Sequence, residues 1–215
     1  MTIKFISKLS LPVLLICTFI STVHSQSVAT VVGLRTEYLE NPLGIDARHP
    51  RFTWRMMDGR QGAAQTSYEI TVGTDANAVA QGRGNVWVVN ETKAGTQLIT
   101  YQGTALQPFT KYYWAVRIAD HLQQKSAWSS VASFETGMME EHNWTGAWIS
   151  DGKSINEKSA PYFRTEFIAK RKIKSARAYI AAAGLYELYL NGEKVGNHRL
   201  DPMYTRFDRR VLYVT

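Results

Sequence analysis

Alternating apolar and polar positions run through the chain and predict short β-strands. The clearest case lies at residues 185–196, where alternation over 185–190 leads into Asn191-Gly192 and a return strand begins at Lys194. Asn-Gly readily supplies the two positive φ angles of a type I′ turn, so this stretch predicts a β-hairpin. After the first 25 residues no stretch sustains a 3.6-residue apolar period. We therefore expect an all-β protein.

Seven further strands are predicted in the first part of the chain. They are expected at residues 31–39, 51–56, 67–74, 85–89, 97–101, 111–120 and 130–136. Turn-rich segments such as Asp58-Gly59 separate them, and a series of short strands with turns between them is typical of a β-sandwich. We assign residues 28–137 to one immunoglobulin-like or fibronectin type III-like domain.

Aromatic residues in this region support a sandwich core. Trp54 and Trp114 stand at strand positions, where core packing is a better interpretation than a sugar-stacking platform. The Leu-x-Pro-x-x-x-Tyr run at 106–112 resembles the segment that enters the sixth strand of fibronectin type III domains. Tyr112 is then predicted to be a corner tyrosine, with a buried ring and a hydroxyl bonded back to the preceding loop.

A second region is predicted to follow a polar linker at residues 138–143. Strands are expected at 161–168, 175–181 and 209–215, on either side of the hairpin. Antiparallel strands around a central hairpin favour the beginning of a jelly-roll β-sandwich over residues 144–215. Four or five strands make only part of two packed sheets, so we expect this domain to be truncated.

The first 25 residues have the pattern of a secretory signal peptide. Lys4 and Lys8 precede an apolar run at 9–20, and small residues follow up to Ser25. The run is short for a membrane span, which needs roughly 20 apolar residues. A buried N-terminal helix is the alternative. We expect residues 1–25 to be cleaved and the protein to be exported to the periplasm, the cell surface or the medium, with no membrane attachment afterwards.

Cysteine content and charge narrow the chemistry. The only cysteine, Cys17, lies inside the predicted signal peptide, so disulfides and thiolate chemistry are not expected in the mature chain. The net charge of +7 is dispersed, with its densest point at residues 170–174. For an exported protein a solvated loop explains such a run better than a nucleic-acid patch, and no nucleic-acid partner is expected.

Catalytic motifs are not apparent in the sequence. It contains neither a glycine-rich phosphate loop nor a Gly-x-Ser-x-Gly elbow nor a His-Glu-x-x-His pair, and its histidines are isolated, so we expect no metal ligands and no cofactor. A glycosidase needs two carboxyl groups facing one another. Glu140 and Glu141 are adjacent and diverge, whereas Glu187 and Glu193 flank the hairpin. None of these is predicted to be catalytic.

One loop has the composition of a carbohydrate contact. Asp201, Tyr204 and Arg206 place a carboxylate, an aromatic ring and a guanidinium close together after a predicted strand. The alternative is an Asp-Pro turn in which Arg206 pairs with a neighbouring acid. We keep these three residues as carbohydrate-binding candidates and predict no catalytic residue.

An ordered series of segments carries a family resemblance. Residues 39–46, 50–54, 65–68, 113–117, 128–129 and 134–137 resemble the N-terminal sandwich of bacterial α-L-rhamnosidases. Residues 148–149, 160–164, 186–196, 200–202 and 210–213 resemble the start of the jelly-roll module that follows it there. The resemblance implies an exported enzyme that hydrolyses terminal α-L-rhamnose from glycosides or polysaccharides with inversion.

The resemblance also places the catalysis elsewhere. The family's paired glutamates lie in an (α/α)6 barrel beyond these modules, so this chain alone is expected to be inactive and to act with a C-terminal catalytic domain. The jelly-roll modules of the family sometimes bind rhamnose with calcium, which would involve the loop at 201–206. Met203 stands where many relatives have glycine, which opposes a close backbone approach to a ligand there.

Other classes of protein remain open at this point. A non-catalytic carbohydrate-binding module could use surface aromatics such as Trp87 or Tyr204. A structural adhesion module could accept a partner strand at an unpaired sheet edge. A different exported glycosidase could share the same accessory domains.

Overall fold

Two antiparallel sheets form the first region of the protein. The structure, a computed structural model, describes residues 29–154, 156–157 and 160–215, so the predicted signal peptide lies outside the described residues. The strands are β1 (Thr30–Thr36), β2 (Arg51–Met57), β3 (Gln65–Gly73), β4 (Trp87–Lys93), β5 (Leu98–Thr100), β6 (Lys111–Asp120) and β7 (Ala132–Glu135). They form a three-stranded sheet, β1-β2-β5, and a four-stranded sheet, β4-β3-β6-β7. The predicted all-β sandwich and its seven strands are confirmed.

An aromatic cluster fills the space between the sheets. Phe52, Trp114 and Phe134 are fully buried, and the ring centroid of Phe52 lies 4.6 Å from that of Trp114 and 5.7 Å from that of Phe134. The indole nitrogen of Trp114 donates to the Thr36 hydroxyl at 3.1 Å, which links the two sheets. Trp54, also buried, donates to the side-chain oxygen of Gln65 at 2.9 Å. Core packing of both tryptophans is therefore confirmed.

Tyr112 forms the predicted corner at the start of β6. Its ring is buried and stacks on Phe134 at 5.2 Å. Its hydroxyl accepts a hydrogen bond from the backbone N–H of Gln107 at 2.8 Å. The loop before β6 is thereby fixed to the core.

A short helix between β3 and β4 was not predicted. Helix α1 spans Ala76–Ala80, and the side chain of Asp75 caps it by accepting from the Ala78 N–H at 2.7 Å. Five residues are too few to show an apolar period, so only the capping aspartate could have indicated the helix.

The free edge of β7 is covered by residues 41–46. Ile45 forms a parallel bridge with Thr136, and the Pro42 carbonyl accepts from the Glu135 N–H at 2.9 Å. The side-chain oxygen of Asn41 accepts from the Ser133 N–H at 2.8 Å. This segment occupies the hydrogen-bonding groups that an added partner strand would need. The adhesion hypothesis therefore has no support at this edge.

The second region contains short strands and irregular backbone. Its elements are a 3-10 turn (Glu141–Asn143), β8 (Ile180–Ala181), β9 (Tyr189–Leu190), β10 (Glu193–Lys194) and β11 (Tyr213–Val214). Strands β9 and β10 pair antiparallel with Leu190 opposite Glu193, and Asn191 and Gly192 have φ angles of 53° and 87°. The predicted Asn-Gly hairpin is confirmed. Strand β8 pairs antiparallel with β11. The strands predicted at 175–181 and 209–215, on either side of the hairpin, are therefore paired with each other.

The strand predicted at 161–168 is not formed. Within the described residues this segment has no paired strand, and Tyr162 and Phe167 are largely exposed. A lone extended segment leaves its backbone groups to water and gains no ladder hydrogen bonds, so alternation alone does not make a strand.

Candidate functional site

Asp201 and Tyr204, from the predicted carbohydrate loop, each contact a neighbour. The Asp201 carbonyl accepts from the Tyr186 N–H at 2.8 Å, and its carboxylate lies 3.2 Å from Nδ1 of His198. Tyr204 is exposed and meets Phe207 edge to face, with ring centroids 5.1 Å apart. These contacts hold the loop together without engaging Arg206.

Arg206 follows the alternative that the sequence left open. Its guanidinium forms two hydrogen bonds of 2.9 Å with the carboxylate of Asp208. Both side chains are exposed. This pair satisfies the charge of Arg206 locally and does not bring it to Asp201 or Tyr204. The carbohydrate-binding role of the loop stays a prediction.

Carboxyl groups of the sandwich are held in ion pairs. Arg60 pairs with Asp58 and with the fully buried Asp120, each at 2.5 Å. The hydrogen bond from Arg60 lowers the pKa of Asp58 to about 2. Burial opposes ionisation of Asp120, but Arg60 and two backbone N–H groups, from Leu122 and Gln124, outweigh it and lower its pKa.

The same electrostatic pattern recurs elsewhere in the described chain. Burial raises the pKa of Glu69, but its bonds to Arg117 and Lys125 outweigh burial and the net shift is downward. Lys194 lowers the pKa of Glu187 at the hairpin. A glycosidase acid needs the opposite shift, because it must stay protonated near neutral pH. These carboxylates have the properties of structural ion pairs.

The described ranges contain neither a metal-binding cluster of side chains nor a membrane-spanning helix. Among residues 29–154, 156–157 and 160–215, no group of three or more His, Asp or Glu side chains is arranged to hold a metal ion. Calcium binding at the loop 201–206, which the family resemblance suggested, stays a hypothesis. In the same part of the chain no helix is both long and apolar enough to cross a membrane.

Tyr213 lies at the centre of the joint between the two regions. Its hydroxyl is 2.8 Å from both carboxylate oxygens of Asp46, to which it donates, and it accepts from the Met138 N–H at 3.0 Å. Asp46 also accepts from the Met139 N–H at 2.8 Å. Burial and the neighbouring carboxylate raise the pKa of Tyr213, so the phenol stays protonated and keeps donating.

A second set of contacts supports the joint. Arg177 binds the Glu135 carboxylate with two hydrogen bonds, at 2.7 and 2.6 Å. Tyr179 meets Phe109 edge to face with centroids 5.1 Å apart. The predicted linker takes part as well, because the Met139 N–H donates to Asp46 and Glu140 pairs with Arg48. Residues 138–143 are thus bonded to the sandwich.

A cleft of about 500 Å³ opens beside this joint. Its walls include aromatic side chains from Trp144, Trp148 and Tyr213 and carboxylates from Asp46, Glu140 and Glu141. Sequence reasoning missed it because its residues come from three distant parts of the chain. By contrast Trp87, kept open as a surface aromatic, is partly buried against the core and meets Tyr101 at 5.1 Å.

The fold and the joint define a class of protein. A closed immunoglobulin-like sandwich is followed by a second β region that is bonded to it. This arrangement defines a β-sandwich protein that carries a second β region.

Comparison with known families identifies the kind of accessory region. Residues 31–140 match the Rha78A-like N-terminal immunoglobulin domain, and residues 171–215 match the alpha-L-rhamnosidase N-terminal domain. The chain belongs to the family of Rha78A-like N-terminal immunoglobulin domains found in alpha-L-rhamnosidases. The family predicted from the ordered segments is confirmed.

Individual relatives with similar sequence or structure are also alpha-L-rhamnosidases. An alpha-L-rhamnosidase of Formosa agariphila is 30% identical over 197 residues, covering 81% of this chain and 21% of that protein. An alpha-L-rhamnosidase structure from Dictyoglumus thermophilum has 37% identity and a TM-score of 0.79, over 86% of this chain and 23% of that one. A Streptomyces avermitilis alpha-L-rhamnosidase complexed with L-rhamnose has 33% identity and a TM-score of 0.54, over 57% of this chain and 12% of that one. The chain spans about a fifth of the length of the curated relatives it matches.

Proposed function

We propose that this chain is the non-catalytic N-terminal part of an exported α-L-rhamnosidase that hydrolyses terminal α-L-rhamnose from glycosides or polysaccharides with inversion. The observation that carries the proposal is the order of the two family matches, sandwich first and rhamnosidase N-terminal domain second, on one chain. Its partner in the proposal is a C-terminal catalytic domain of the same polypeptide.

The second region is proposed to be part of a jelly roll. The Asn191-Gly192 hairpin and the β8–β11 pair supply antiparallel strands of the kind that such a sandwich contains. Export is proposed from the leader pattern of residues 1–25, which lie outside the described residues. N-terminal sequencing of the secreted protein tests the leader, with Gln26 expected as the first residue.

Geometry favours a supporting role over chemistry in this chain. The described carboxylates with shifted pKa values are more acidic than usual, and the two regions are fixed to each other through Tyr213 and Arg177. A rigid pair of modules can hold a catalytic domain and its substrate in a constant relative position.

The test compares this chain with the product of the gene read beyond codon 215. Both are purified and assayed with 4-nitrophenyl α-L-rhamnopyranoside, with 4-nitrophenyl β-D-glucopyranoside as the control substrate. We expect the longer product to release nitrophenol from the rhamnoside only, with the β-anomer of rhamnose appearing first by NMR, and the 215-residue chain to release none. Hydrolysis by the short chain alone, or a reading frame that encodes no further domain, would contradict the proposal.

A further inference from the structure

We infer that the cleft beside Tyr213 is a binding site for a neutral sugar ring, separate from the loop at 201–206. The cleft volume of about 500 Å³ falls within the range of roughly 300–1,000 Å³ usual for small-molecule sites. The choice of a sugar rests on the proposed function, whereas the cleft and its lining do not.

The aromatic lining provides a stacking surface. Trp148 lines the cleft and is 66% exposed, although tryptophan is usually highly buried. Trp144 lies nearby and contacts Tyr213, with ring centroids 6.4 Å apart. The electron-rich face of an indole attracts the C–H bonds on the apolar face of a pyranose, and an exposed ring offers that face without prior rearrangement.

The polar lining provides hydrogen-bond acceptors for sugar hydroxyls. Asp46 is held in place by the Tyr213 hydroxyl and the Met139 N–H. Glu140 is paired with Arg48 at the rim. The carboxylate of Glu141 is exposed at the cleft, so it is available to accept from a ligand hydroxyl. Hydrogen bonds to ionised carboxylates are stronger than those between neutral groups.

The charge of the lining selects the kind of sugar. Three carboxylates line the cleft, and within the described part of the chain Arg48 pairs with one of them, Glu140. A uronic acid would place its own carboxylate among them and be repelled. We therefore expect neutral sugars to bind and uronates to be excluded.

Saturation-transfer NMR on the 215-residue chain tests the site with methyl α-L-rhamnopyranoside at millimolar concentration. D-Galacturonate is the anionic comparison. We expect saturation transfer to the neutral glycoside and little to the uronate. Trp148→Ala should weaken binding of the glycoside at least about tenfold. Tyr162→Ala, which removes an exposed aromatic ring outside the cleft lining, should leave it unchanged. Tyr204→Ala tests the loop at 201–206 as the rival site. Glu141→Gln should reduce the discrimination against galacturonate.

Three results overturn the inference. They are an absence of binding by the wild-type chain, a loss of binding in Tyr204→Ala with Trp148→Ala unaffected, and equal binding of the uronate. The NMR experiment measures binding and does not depend on catalysis. If the longer product hydrolyses rhamnosides but this chain binds no sugar, the cleft is not a sugar-binding site and the proposed function still stands. Circular dichroism of each variant verifies that the fold is retained.

Discussion

The sandwich and the second region differ in where their aromatic residues lie. In the sandwich, Phe52, Trp114 and Phe134 are fully enclosed between two sheets. In the second region, Tyr162 and Phe167 are exposed, and its strands are only two residues long. The first region thus buries its own apolar surface, whereas the second depends on the contacts it makes with the sandwich. Both regions have alternating apolar and polar positions. Their aromatic residues differ in burial because, among the described residues, only the sandwich has two complete sheets that pack face to face.

The largest expected effect comes from opening the sandwich core. Trp114→Ala removes a fully buried ring and leaves Thr36 without its indole partner, so we expect a loss of about 3–5 kcal/mol in the free energy of unfolding. Urea denaturation followed by circular dichroism measures it. Trp148→Ala is the matched control and should change stability by less than about 0.5 kcal/mol. Equal losses of unfolding free energy in the two variants would contradict the claim that only the sandwich is stabilised by an enclosed aromatic core.

Acid is the next way to weaken the sandwich. The pKa of Asp58 is lowered to about 2 in the folded state from 3.8, so the unfolded chain takes up protons first as pH falls. Stability from this group is present above about pH 4 and is lost as pH falls towards 2. Unfolding midpoints measured across this range should fall more steeply for wild type than for Asp58→Asn. If the midpoints of wild type and Asp58→Asn fall equally steeply with pH, the Asp58–Arg60 ion pair does not contribute to stability in this range.

Cutting the joint should affect the second region selectively. Tyr213→Phe keeps the ring but removes the hydroxyl that contacts Asp46 and Met138, at a cost of about 1 kcal/mol. We expect faster proteolysis within residues 144–215 and an unchanged melting midpoint for the sandwich. Tyr204→Phe serves as the control. If Tyr213→Phe leaves proteolysis of the second region as slow as in wild type, the joint is not what fixes it.

The smallest effect is expected at the hairpin. Gly192 has a φ angle of 87° with open space around it, so Gly192→Ala strains the turn by about 1 kcal/mol without a steric clash. Faster amide exchange should be confined to β9 and β10. Gly59→Ala, at a position with open space and no positive φ, should change nothing measurable. Spread of the effect into the sandwich would mean that the regions are more tightly coupled than the joint indicates.

The sequence predicted local features better than distant contacts. Alternation located the seven sandwich strands, and Asn191-Gly192 located a turn, because both depend on neighbouring residues. The Asp46–Tyr213 bond spans 167 positions and leaves no local pattern, so neither the joint nor the cleft was predicted. The segment at 161–168 shows the converse error, since its alternation lacks a pairing partner in the described chain. Arg206 was grouped with Asp201 by proximity in sequence, yet it binds Asp208, which is closer still.

Native-state hydrogen exchange on the wild-type chain tests the contrast most directly. We predict that amides of β2, β3 and β6 exchange only through global unfolding, and that amides of residues 144–215 exchange faster, with intermediate protection at the β8–β11 pair beside Tyr213. Uniform protection from the sandwich through the second region would contradict the account, because it would show one cooperative unit in place of a closed sandwich that carries a second region through a single joint.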